Sequence, residues 1–434
     1  MPAVDAAPHE DAPARASYRD VFGVGEFRVI FAANIVSMLG TVVASVALTV
    51  LIYDQTRSAA LAALVMALSF MPYLIGGTLL GAAVDRLPAR RVLIVCDLTS
   101  AAVVAVMVIP GVPVPGLLAL LFAEGLVAPV FQGVRSAMLP DILPAGPPYV
   151  LGRSLMRMVS QGAQIAGYGA GGLLLAVLPP RSALAADALS FVASALLLRL
   201  GTAWRPARVA PSPAGSGSGS GRMTRDSLTG LRAVLSDRAT RRILLFGWLV
   251  PACEVVPEAL AAPYATSIGQ PARVAGFLLM GIPVGTVASI VASARLLTAG
   301  WQRRIIVPAA LLSFAALAGF AVRPGLALAL VLLVICGLGS AWMAGMDGLL
   351  VAAAPPALRG RALALSNTGL MFTQGAGFAL WGVAGQYAPL PVVIPAAAVA
   401  GAIAVVALRP RADGLRVAQT PGGPGGPPHS DRDD

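Results

Sequence analysis

The chain has 434 residues, 57% of them hydrophobic and 12% charged, with a mean hydropathy of +0.80. A water-soluble domain carries about 25% charged residues, so this composition excludes a soluble fold. The formal net charge is +11 and all 31 basic residues are arginine, set in short segments between apolar runs; that pattern fits attraction to anionic lipid headgroups rather than to nucleic acid.

The first 26 residues hold Asp5, Glu10, Asp11 and several prolines without an apolar core. They read as a disordered cytoplasmic tail and not as a signal peptide. A bilayer core of about 30 Å needs about 20 apolar residues per helix. On that ruler residues 27–200 hold six spans, near 27–52, 59–83, 92–110, 115–138, 152–178 and 182–200. Residues 243–408 hold six more, near 243–264, 273–294, 305–322, 326–350, 361–385 and 390–408, before a second polar tail at 409–434. The expected fold class is an all-α integral membrane protein of twelve transmembrane helices in two six-helix halves.

Residues 201–242 divide the two halves. Pro211–Gly221 is rich in Pro, Gly and Ser, the composition of a flexible linker. Leu228, Leu231, Val234 and Leu235 then recur at helical spacing among Arg225, Arg232 and Arg238, which predicts an amphipathic helix along the cytoplasmic surface. With both tails inside, Arg57, Arg181, Arg273 and Arg323 fall outside and the other 27 arginines fall in or beside cytoplasmic segments. Cationic loops are retained in the cytoplasm, so the split sets the orientation.

The end of the second span is the most distinctive stretch. Gly77 and Gly81 are four apart and leave a small-residue stripe for close helix approach. Asp85 continues that stripe, and Arg86, Arg90 and Arg91 hold the following turn in the cytoplasm. The stretch resembles the GxxxDRxGRR loop between the second and third helices of the major facilitator superfamily of transporters. Gly81, Asp85, Arg86 and Arg90 fit; Pro88 replaces the second glycine and Ala89 the arginine after it. The resemblance continues through Phe27–Gly40, Asp97, Phe131–Pro144, Asp187–Phe191 and Leu358–Ala362. In that order these segments are similar to the macrolide-efflux and enterobactin-exporter group of drug:proton antiporters. This implies a gating role for the hinge of Gly77, Gly81, Asp85, Arg86, Arg90, Arg91 and Asp97.

The fifth span is compared with the GPxxGG motif of exporters: Gly167, Gly171 and Gly172 are in place, but Tyr168 replaces the proline. A glycine-rich packing face accounts for these glycines equally well. Relatives often carry an acid after the glycine of the first span, whereas Gly40 is followed here by Thr41, which cannot carry a proton. The halves repeat weakly. Gly76 and Arg86 recur as Gly285 and Arg295, 209 residues later, and Arg153, Leu155, Gly167 and Gly169 as Arg361, Leu363, Gly375 and Gly377, 208 residues later. Asp85 corresponds to Ala294, so only the first hinge carries an acid.

A carboxylate at the bilayer centre costs about 2.5–3.5 kcal/mol on insertion scales, which makes intramembrane acids the candidate site. Asp97 and Asp347 are expected near the cytoplasmic edge, with Asp97 close enough to the hinge arginines to pair with them, and Asp187 near the external edge. Glu124, ten residues into the fourth span, is expected about 15 Å deep. Glu254 and Glu258 are four apart on the seventh span, on one face of a helix whose backbone Pro251 and Pro257 loosen around them. These three glutamates are the candidate proton-coupling residues, with Glu124 preferred because no second acid lies a turn away from it.

His9 and His429 sit in the tails, and Cys96, Cys253 and Cys336 lie singly in separate spans, so neither a metal site nor a disulfide framework is indicated. No GxxxxGK[ST] phosphate loop is present, and no cofactor is expected. The chain therefore reads as a monomeric, non-enzymatic, multi-pass protein of a bacterial plasma membrane with both termini cytoplasmic. It is expected to export a hydrophobic or amphipathic small molecule (drug, antibiotic or siderophore-like) by proton antiport and alternating access. The alternatives are an importer of the same fold and a membrane receptor or scaffold.

Overall fold

The computed structural model describes residues 17–72, 87–144, 146–206, 235–354 and 359–410. Regular structure among them is helical throughout. A short α1 (Tyr18–Phe22) is closed by a capping box in which Ser17 and Asp20 satisfy each other's backbone N–H. Helix α2 (Gly25–Thr56) follows and is 32 residues long, about 48 Å at 1.5 Å per residue. Its polar residues are satisfied within the helix: Thr41, Ser45 and Thr49 each donate a hydroxyl to the carbonyl one turn earlier, at 3.0, 2.8 and 2.8 Å. That back-bonding lets an apolar helix carry hydroxyls without an orphaned group.

The chain continues through α3 (Ala59–Phe70), α4 (Ala89–Val108), α5 (Val114–Ile142), α6 (Pro147–Val177) and α7 (Pro180–Gly201). After residues outside the description come α8 (Arg238–Glu254), α9 (Val256–Ala259), α10 (Ala261–Ser267), α11 (Ala275–Leu296) and α12 (Ala299–Arg304). The last elements are α13 (Ile306–Ala318), α14 (Leu326–Gly339), α15 (Met343–Ala353), α16 (Arg359–Tyr387) and α17 (Leu390–Leu408).

Six of the described helices are long and apolar enough to cross a membrane: α2, α4, α5, α7, Ala272–Ser293 and α17. The bent run Arg238–Ala259 with Ala261–Ser267, turning by 45°, would make a seventh. Expectation and structure differ here for identifiable reasons. The stretch near 59–83 leaves the description after residue 72. Helices α13 and α14 are short and run on only through the 3₁₀ turns Gly319–Val322 and Ser340–Trp342. Helices α6 and α16 have 31 and 29 residues but are diluted by Gly, Ser, Gln and Arg. The linker helix expected within 222–238 lies largely outside the described residues, as do the tails.

The seventh stretch is broken where proline dictates. Pro257 offers no N–H and its ring excludes the carbonyl four residues earlier, and the helix divides at Val255 and Leu260. The outer faces stay apolar: Val177 on α6, Leu189 and Leu200 on α7, Leu296 on α11, and Val399 and Ile403 on α17 are exposed large hydrophobics. In water such a surface would aggregate; against lipid it costs nothing.

Candidate functional site

The site lies where residues 17–206 meet residues 235–410. Helix α6 is clamped between α2 and α11. On one side Gly167 and Gly171 lie against Val42 and Val46; on the other Gly172 and Gly276 bring the backbones of α6 and α11 together. A Cβ on Gly276 would stand 2.6 Å from the Gly172 backbone and 3.0 Å from the Tyr168 carbonyl oxygen. Helix α16 is held in the same manner between α8 and α3. Gly377 meets the Ala252 carbonyl, Gly382 meets Ala63, and Phe378 stacks on Phe70 at 5.5 Å. By packing role Gly167 corresponds to Gly377 and Gly172 to Gly382, which is an offset of 210 residues. The 208-residue pairing expected from sequence matches glycines that face different partners, because two residues turn a helix by about 200°.

A side-chain contact joins the two groups of helices at one end of the bundle. Tyr53 and Thr266 share a 3.0 Å hydrogen bond at the end remote from both termini. Two turns before Gly169 on the same face of α6, a Cβ on Gly162 would meet nothing within 4 Å, while one on Gly169 would strike Met280. Among the described residues, the contacts between the two groups of helices therefore thin out toward the end that carries Tyr18 and Leu408.

Two pairs of acids lie deep in this arrangement. Glu254, at the end of α8, and Glu258, on α9, are within electrostatic range of each other. Both keep a part accessible to water although protein atoms surround them, the condition of side chains lining an internal space. Trp342, fully packed and held edge-on by Phe246 at 5.5 Å, donates its indole N–H to Glu254 Oε1 at 3.4 Å. Ser313 also contacts the Glu254 carboxyl. The same hydroxyl lies 2.9 Å from the Cys336 carbonyl, to which it donates. Glu258 extends its field to Tyr168 of α6, across the seam between the groups.

The other pair is Glu124 on α5 and Asp187 on α7, within electrostatic range of each other. Asp187 is buried, accepts from Ser190 at 3.2 Å and lies directly against Gly40, where a Cβ would come within 2.5 Å of its Oδ1. An acid thus sits beside Gly40 after all, supplied by α7 instead of the residue after the glycine. Glu124 is not isolated, as its neighbours along the helix suggested; its second acid comes from another helix. The signal was present in the segment Asp187–Phe191, but a one-dimensional reading cannot place it opposite Gly40.

The hinge is described in part. Gly77, Gly81, Asp85 and Arg86 lie outside the described residues. Arg90 donates to the Arg199 carbonyl at the end of α7, and Arg91 is exposed. Asp97 is buried, accepts from Ser194 at 2.6 Å and faces the Arg135 guanidinium of α5. Sequence placed it with the hinge arginines; among the described residues its cation is on the neighbouring helix, because α4 turns Asp97 toward α5 and α7 and leaves Arg91 outside. Asp347 lies on α15, with its side chain outside the description. At the opposite end Arg181 donates to the carbonyls of Met107, Val108 and Ile109 and so caps the C-terminus of α4.

Residues 20–414 match the profile of a family described as transmembrane secretion effectors. The chain is 27% identical over 357 residues to the multidrug efflux pump Tap of Mycolicibacterium fortuitum, covering 79% of this chain and 85% of that protein. Among solved structures it resembles a peptide transporter POT in complex with sulfate, with a TM-score of 0.69 and 14% identity over 91% of this chain and 95% of the other. It also resembles a variant of the nucleoside transporter NupG, with a TM-score of 0.66 and 16% identity over 88% and 98% of the two chains. At such identities the two structures speak for the fold alone.

Proposed function

The chain belongs to the transmembrane secretion effector family of the major facilitator superfamily, and we propose that it exports a hydrophobic or amphipathic small molecule in exchange for protons. In this reading residues 27–200 and 243–408 are two six-helix halves joined by the cytoplasmic linker 201–242, with both termini in the cytoplasm of a bacterial cell. The glycine seams of α6 and α16 are then the surfaces on which the halves rock. The end closed by Tyr53 and Thr266 faces outward, and the end that carries Tyr18 and Leu408 faces the cytoplasm.

The observation that carries proton coupling is the surroundings of Glu254. A second acid, Glu258, lies within electrostatic range of it, and the hydrogen-bonding neighbours of Glu254 are the uncharged Trp342 indole and Ser313 hydroxyl, so one proton held between the two carboxyls relieves the repulsion of two like charges. A carboxyl loaded from outside would carry its proton until the halves rock to the cytoplasm-open state, where water reaches it and takes the proton. A cationic amphiphile and the proton would compete for the same carboxyls, which links the two fluxes without contact between them. Glu258 and Glu124 belong to the same proposal, and the Asp85 hinge would latch the cytoplasmic side in the outward-facing state.

Everted vesicles with an acid lumen provide the test, with a panel of fluorescent amphipathic cations. Wild type is expected to accumulate at least one of them and to lose it on adding a protonophore. Glu124→Gln and the Glu254→Gln/Glu258→Gln double variant are expected to lose gradient-driven accumulation while exchange of labelled for unlabelled compound persists. Normal accumulation by both variants would refute the coupling role. Accumulation only in right-side-out vesicles would make the protein an importer.

A further inference from the structure

The last turns of α5 and the first turns of α6 enclose a cavity of about 320 Å³. Arg135 and Ser136 line it from α5, and Tyr149, Arg153 and Ser160 from α6, over an apolar floor of Leu139 and Met156. Tyr149, Arg153, Met156 and Ser160 are spaced at i, i+4, i+7 and i+11, so one face of α6 supplies its whole wall. Arg135 lies 21 residues after Val114, about 30 Å along α5. That is a membrane's thickness from the other end, at headgroup depth on the side of the termini.

Two guanidiniums reach this space from two helices, and among the described residues no carboxylate lines it. Like charges sharing one cavity repel, and an anion between them removes that penalty. Arg135 is buried, donates to the Gln132 side chain and sits over the Phe131 ring at 5.8 Å. Its planar fork is therefore held before any ligand arrives. Its field is shared with Asp97 of α4. Arg153 is exposed and free to close over a ligand from the mouth of the cavity. The Ser136 and Tyr149 hydroxyls supply further donors, and the positive end of the 31-residue α6 adds to the potential.

We propose that this cavity binds the phosphate-class anionic head of an amphiphile. The donors suit three or four oxygens of a tetrahedral anion, and the Leu139–Met156 floor suits the start of an apolar tail. The same chemistry is offered by an anionic phospholipid of the bilayer and by a phosphate-headed amphiphile delivered from the cytoplasm. The proposal is independent of transport direction and of the glutamates, and it is read by binding without flux, so its failure leaves the exporter reading untouched.

The probes are dioleoyl phosphatidylglycerol and dodecyl phosphate, each titrated into full-length protein held in phosphatidylcholine nanodiscs or micelles. Saturable binding is expected in wild type and about tenfold weaker or absent binding in Arg153→Gln, the loss of a charge-assisted pair. Arg303→Gln, an exposed arginine on α12, should bind as wild type. Phosphatidylglycerol alone binding identifies the lipid as the source; mutual competition of the two probes identifies any phosphate-headed amphiphile. Arg153 is chosen because it is exposed, and a matching melting temperature without ligand establishes that the variant is folded. Equal binding by wild type and Arg153→Gln, or equal weakening by Arg303→Gln, overturns the proposal.

Discussion

Gly276→Ala tests the rocking seam directly. The new methyl would stand 2.6 Å from the Gly172 Cα and backbone N and 3.0 Å from the Tyr168 carbonyl oxygen. Carbon atoms in ordinary contact are about 3.5–4.0 Å apart, so α6 and α11 must separate by about 1 Å at this point. The colliding atoms are backbone, and no rotamer change relieves them. Overpacking of this kind costs about 1–3 kcal/mol. If the seam exists only when the Tyr53–Thr266 end is shut, the whole cost falls on that state and its population drops by about 5- to 150-fold. The assay is labelling of a single cysteine placed at Thr266, with Cys96, Cys253 and Cys336 replaced, using a membrane-impermeant maleimide on intact cells. Gly276→Ala should raise the labelling rate several-fold. Gly162→Ala, whose methyl would meet nothing within 4 Å, should leave it unchanged. Equal rates in the two variants, at equal expression and monodispersity, would mean that the α6–α11 contact is static packing and that no rocking occurs there.

Topology is tested by labelling from outside: cysteines placed at 57 and 323 should react and one at 216 should not, and reaction at 216 in intact cells would invert the orientation. Asp85→Asn should reduce transport strongly while insertion stays intact, whereas Ala294→Asn has little effect; equal damage at both would make the two hinges equivalent structural loops. Arg181→Met removes the guanidinium that caps the last carbonyls of α4, and should lower stability by about 1–2 kcal/mol. A thermal melt of purified protein reads it, and an unchanged melting temperature would mean that water caps those carbonyls equally well.

The membrane class, the apolar runs and the family were legible in the chain, because composition and local hydropathy are one-dimensional quantities and the lipid solvent enforces them helix by helix. The break around Pro257 was legible for the same reason, since a proline acts on the carbonyl four residues before it. Glu124, Glu254 and Glu258 stood out because a lone acid in an apolar run has few bland explanations. Their partners were not legible. Asp187 beside Glu124 and Gly40, Arg135 facing Asp97, Ser313 and Trp342 around Glu254, and Tyr168 across the seam from Glu258 all come from other helices, at separations that no periodicity encodes. Register was lost in the same way. The repeat aligned Gly167 with Gly375, but packing matches Gly167 with Gly377, since a shift of two residues leaves the glycine spacing almost intact while rotating the helix to its opposite face. What the local sequence decides is which segments are apolar enough for lipid; which faces meet, and so which acids lie side by side, is decided only when the helices pack against one another.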